Sequence, residues 1–211
     1  IHICLAGIFF GFCALLLVEA LRLGKFLSGK VKMAVPLKGI AGGIILVAMT
    51  LVFSKRYLGL GLDTIEQCLQ GQSVPWYAGF AKMAFTSITL NFGGSGGIVT
   101  PIFFIGATAG SAFAGWTGLD HATMSAIGFV AVLAGAANTP IAASVMAIEI
   151  FGPEVAPYAA VACVISFLMT GHRSVYPSQV LSVKKSPSIS VELGEEMQGL
   201  EPRVHLRKKS W

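Results

Sequence analysis

The run Gly93-Gly94-Ser95-Gly96-Gly97-Ile98-Val99-Thr100-Pro101 constrains this chain more than any other, because it lies inside Met83–Leu119, a stretch without a charged residue. Glycines at such density bare the backbone amides and open conformations closed to other residues. Pro101 suits the first turn of a helix, and Ile102 to Trp116 reads as its continuation. A helix that begins at membrane depth presents free N–H groups and the positive end of its dipole to whatever fills the gap. In lipid such a break is tolerated only where it is buried in protein or lines a cavity. The pattern predicts an anion site at membrane depth.

Composition places that helix start in a bilayer. Hydrophobic residues make up 55% and charged residues 12% of the chain, about half the charge of a soluble domain, and mean hydropathy is +0.75. The net charge of +5 is no signature of nucleic-acid binding, because the basic residues gather between apolar segments and in the tail. Cys4, Cys13, Cys68 and Cys163 are widely spaced and read as packing residues. No metal, redox or other cofactor motif is present. The chain opens on an apolar run at Ile1 without a basic leader. That argues against a signal peptide and predicts the C-terminal part of a longer polypeptide.

Apolar segments run roughly over 3–21, 36–53, 77–92, 98–116, 122–137, 140–150 and 155–170, with a short amphipathic piece at 63–69 and a final short helix after Tyr176. Several are too short to cross a hydrocarbon core that needs about 20 residues. The expected fold is therefore an all-α polytopic membrane protein with tilted, re-entrant and broken helices, a pattern known from transporters. Residues 1–185 would form the membrane part and 186–211 a short cytoplasmic tail. Arg22, Lys25, Lys30, Lys32 and Lys38 around a first loop, Gly24–Pro36, and the basic residues of the tail put both on the cytoplasmic face. Small residues from Gly106 to Gly115 predict close helix packing.

Several polar residues carry two readings. Thr100 either caps its helix or aims a hydroxyl at the ion, and Ser95 shares that choice with less weight. Tyr176 reads as an interfacial anchor or an anion-facing hydroxyl. Glu149 is expected to make a structural hydrogen bond at a helix or subunit contact, proton transfer being the alternative. His172 and Arg173 read as loop charges, and Lys82 is expected to snorkel to the interface.

Four features together resemble the CLC family of chloride channels and anion/proton antiporters. Gly97-Ile98-Val99-Thr100-Pro101 looks like the family's Gly-x-Phe-x-Pro anion-binding loop, and a helix rich in small residues follows it. Asn138-Thr139-Pro140-Ile141 leading to Ile148-Glu149 is similar to the family's dimer-interface helix, and Ser174-Val175-Tyr176 to the segment bearing its central tyrosine. The resemblance covers nearly all of the chain but only the C-terminal half of a family member. It implies half of an inverted-repeat fold in a bacterial inner or plasma membrane, completed by an N-terminal half that carries the gating glutamate and a serine loop. It further implies a homodimer through 140–150 and 155–170, an anion site at Gly97, Ile98, Val99, Thr100 and Tyr176, and no enzyme activity. Val99 stands where the family has phenylalanine and Thr100 where it has a small apolar residue, a pair that resembles the fluoride-exporting branch. The implied function is fluoride export in exchange for protons. Its alternative is a chloride/proton antiporter or passive chloride channel of the same architecture.

Overall fold

The computed structural model describes residues 1–176 and, beyond them, the antiparallel pairing of Ile189–Ser190 with Arg203–Val204. The described membrane part is helical throughout: α1 (His2–Lys30), α2 (Val35–Val52), a 3-10 turn (Lys55–Tyr57), α3 (Leu62–Leu69), α4 (Ala78–Asn91), α5 (Val99–Thr117), α6 (His121–Ala136), α7 (Pro140–Phe151) and α8 (Ala156–Thr170). The expected helix after Tyr176 and the orientation of the tail fall outside the described residues.

Helix lengths divide the elements. α1, α2 and α5 are long and apolar enough to cross a membrane, whereas α6, α7 and α8 are shorter apolar helices. α7 has 12 residues, roughly 18 Å of helix against a hydrocarbon core of about 30 Å. α1 departs from expectation at its C-terminal end. It continues through Arg22, Lys25 and Lys30, so the linker to α2 is confined to residues 31–34 and not the whole of Gly24–Pro36. Lysine and arginine are good helix formers, and cations in a last turn face the negative end of the dipole.

α6 sits at the centre. It is apolar on every side, the property of a helix enclosed by others, and Ile127, Val130, Ala131, Val132 and Ala134 are fully buried. α5 lies against it at glycine distance. A Cβ on Gly106 would strike the backbone of Gly128 and Phe129, and one on Gly110 the backbone of Met124 and Ser125. Small residues at this seam bring the two backbones together, which is how helices associate in lipid without a hydrophobic drive. α1 meets α8 in the same way, with Gly7 against Ile165 and Gly11 against Met169. The junction between α6 and α7 is also set locally. Asn138 takes a positive φ of 61°, and Pro140 opens α7 at a first-turn position where its missing N–H costs nothing.

Backbone atoms cannot yield as side chains do, so Gly106→Val should lower stability by about 1–3 kcal/mol, read as a lower midpoint of thermal unfolding in detergent. Gly29→Ala, where a Cβ meets nothing within 4 Å, should instead raise it by about 0.5–1 kcal/mol.

Candidate functional site

α4 and α5 are the two arms of a broken hairpin, and the residues between them are held in place from α1. Asn91, the last residue of α4, donates from Nδ2 to the carbonyl of Leu21 at 3.3 Å and to that of Ser87 at 2.8 Å. Ser87 donates to the carbonyl of Ala20 at 2.6 Å, and Ser28 donates to the carbonyl of Asn91 at 2.6 Å. Beyond this clamp the chain turns at Gly93, with φ 93°, and Gly94 N–H closes back onto the Thr89 carbonyl at 2.9 Å. A Cβ on Gly94 would lie 2.6 Å from that oxygen, so the turn demands glycine there.

The chain then enters α5. Val99 and Thr100 are its first two residues and Pro101 its third. The first amide to find an acceptor within the helix is that of Ile102, which donates to the Ile98 carbonyl at 3.1 Å. The N–H groups of Val99 and Thr100 therefore have no intrahelical acceptor, and Pro101 has none to satisfy. Gly97 and Val99 are exposed and Thr100 half-buried. Amides and dipole at such a helix start can hold an anion.

Beside this start lies a cavity of about 170 Å³ lined by Tyr57–Leu60, Lys82, Phe85, Thr86, Thr89, Leu90, Ser95, Gly96, Gly97 and Pro101. Lys82 corrects an expectation: it does not snorkel to the interface but is 1% exposed. Its ammonium donates to the carbonyls of Tyr57 at 3.2 Å and Gly59 at 2.5 Å. Tyr57 adds a neutral wall, because burial and then neighbouring Tyr77 push its phenol above the ordinary tyrosine range, against a smaller opposing pull from Arg56.

Of the residues singled out in the sequence, Gly97 and Ser95 line this cavity, while Ile98, Val99 and Thr100 sit just beyond it. Tyr176 belongs to a separate turn. There Val175 N–H donates to the Ala136 carbonyl at 2.8 Å, and Tyr176 N–H donates to the Ser174 hydroxyl at 3.1 Å. Arg173 pairs with Glu19 of α1 at 3.2 Å. Tyr176 makes no side-chain hydrogen bond to the glycine run and is not part of the cavity wall. Glu149 is exposed on α7. Lys82, Thr86 and Thr89 were missed by sequence reasoning as a group, although positions four and then three apart put them on one helix face.

A helical membrane protein whose broken hairpin ends in an unshared helix start is the class that fold and site define. A family model described as "Voltage gated chloride channel" matches residues 1–171. The chain is 45% identical over 182 residues to a chloride/fluoride channel protein of Pseudomonas syringae pv. tomato, covering 82% of this chain and 40% of that one. It is 32% identical over 143 residues to an uncharacterised protein of Methanocaldococcus jannaschii, covering 66% and 36%. The crystal structure of a CLC-type fluoride/proton antiporter superposes with a TM-score of 0.79 at 27% identity, over 83% of this chain and 45% of the other. The chain thus spans less than half the length of each of these relatives. It belongs to the voltage gated chloride channel, or CLC, family, and is a multi-pass membrane protein.

Asn91→Ala would strip the Leu21 carbonyl of its side-chain donor and loosen the end of α4. Removing a part-buried hydrogen bond should cost about 1–3 kcal/mol, measured by thermal unfolding, and should speed hydrogen exchange at the Gly94 amide.

Proposed function

We propose that the full-length protein exports fluoride in exchange for protons. The observation that carries this reading is the Val99–Thr100 pair at the first two positions of α5, with amides that no helix carbonyl takes up. In this reading Gly97, the amides of Ile98 and Val99 and the hydroxyl of Thr100 bind the ion, and Tyr176 closes the inner side. Fluoride is small and strongly hydrated, so a hydroxyl donor beside the amides replaces part of the water it sheds. The likeness to a fluoride/proton antiporter supports the reading. The name of the Pseudomonas relative, a chloride/fluoride channel protein, favours passive halide conduction as the second reading. The rest of the polypeptide supplies the N-terminal half and the gate.

We also assign the assembly to a homodimer through α7 and α8, whose apolar residues Ile141, Val145, Ile148, Tyr158, Val161 and Leu168 are exposed. Residues 1–185 form the membrane part, and the α1–α2 linker shares the cytoplasmic face with the tail, 186–211. Cysteines placed singly in the linker and the tail should label from one side only, and labelling from opposite sides would overturn this topology.

Flux of fluoride, chloride and protons through full-length protein in liposomes tests the function directly. Thr100→Ala should weaken fluoride binding roughly tenfold or more, since a hydrogen bond to a charged partner contributes about 1.5–3 kcal/mol. Chloride should suffer less, so the preference narrows. Tyr176→Phe should weaken both ions with less change in preference. Equal fluoride and chloride transport in the parent would sink the fluoride assignment. Fluoride movement without proton movement would select the channel reading.

A further inference from the structure

Among the described residues no carboxylate accompanies the enclosed cation of Lys82. None of the residues lining its cavity is acidic, and the ion pairs among the described residues are those of Glu19. The carbonyls of Tyr57 and Gly59 take two of its three N–H donors, and the ring of Phe104 lies 5.1 Å away. Carbonyls and a ring orient an ammonium but carry no net charge. A buried ion held only by dipoles still bears a desolvation cost, which an opposite charge offsets.

Thr86 stands one helical turn further along the same face and is 6% exposed. Thr50, Thr89, Thr108, Thr117 and Thr170 each turn their hydroxyls back onto a carbonyl of their own helix. The Thr86 hydroxyl makes no such bond, nor any other hydrogen bond within the described residues, and it lines the cavity with Lys82. Ser95 and Gly96 line it as well. Lys82 and Thr86, one charged and one with an uncommitted hydroxyl, thus line a space large enough for an ion with part of its hydration shell.

We propose that this cavity is a second binding position for a small monovalent inorganic anion, held by Lys82 and Thr86 and distinct from the amides of Val99 and Thr100. It rests on the reading of the protein as a halide transporter and adds to it a staging position between the 57–60 turn and the glycine run. An anion there neutralises Lys82 and stands next to Gly97, from which the first turn of α5 is one step away.

The test uses full-length protein and counts halide bound per subunit by equilibrium titration with fluoride and with chloride. In Lys82→Met and in Thr86→Val one bound halide should weaken roughly tenfold or more, while the binding lost in Thr100→Ala stays intact. Lys82→Arg, which keeps the charge, should retain both. Should Lys82→Met fail to fold, Thr86→Val decides alone, since it removes the hydroxyl and leaves the cation. Unchanged binding in Thr86→Val and Lys82→Met, with a Thr100-sensitive ion still present, would overturn the second position and spare the transporter reading. A parent that binds no halide would overturn both.

Discussion

A peptide N–H placed in hydrocarbon needs an acceptor, and α5 starts with two for which its own helix has none. The rest of the described fold makes that start tenable. α4 stops short at Asn91 because its terminal amide side chain and the Ser87 hydroxyl reach across to α1, and Gly93 and Gly94 then fold the chain back within a single turn. α5 is held from behind by α6 along the seam of Gly106, Gly110 and Gly128. Ser95, Gly96 and Gly97 line a cavity, the setting in which irregular backbone is tolerated within a bilayer.

The same economy explains the weight of small residues in the helices. Lipid tails offer no hydrophobic penalty to side chains, so association depends on close contact. Glycine and alanine at the α5–α6 and α1–α8 seams allow contact between main chains, where larger side chains would hold the helices apart. Among the buried polar residues Thr108 and Thr170 are satisfied on their own helices, Ser28 and Ser87 across the α1–α4 contact, and Ser125 and Ser166 are left without a partner within the described residues. The ammonium of Lys82 and the idle hydroxyl of Thr86 differ from these in lining a cavity.

Much of this was legible in the chain. Apart from the end of α1, the apolar segments mark each helix to within a few residues, since a bilayer forces hydrophobicity and length to agree, and the glycine run marks the break between α4 and α5. The end of α1 was misjudged because Arg22, Lys25 and Lys30 were taken for a loop, although basic residues at the aqueous edge suit a helix C-terminus as well as they suit a loop. Lys82 was misread because a lone lysine near a helix start usually finds water. Its acceptors, the carbonyls of Tyr57 and Gly59, are main-chain atoms 25 and 23 residues away, and side-chain identity says nothing about where such carbonyls point. Tyr176 was identified by a motif, but the bond from Val175 to Ala136 that sets its turn is a tertiary contact with no local signal.

Three consecutive residues of α1 touch both parts of the region discussed above. Glu19 holds Arg173 in the turn before Tyr176, the Ala20 carbonyl receives Ser87, and the Leu21 carbonyl receives Asn91 at the gateway to the glycine run. The two otherwise separate pieces are thereby referenced to one short length of a single helix. A rotation of α1 by a few degrees would carry them in concert and preserve their spacing, whereas a bend of α1 at this point would change it. α1 is in effect the common ruler for the turn before Tyr176 and the start of the glycine run.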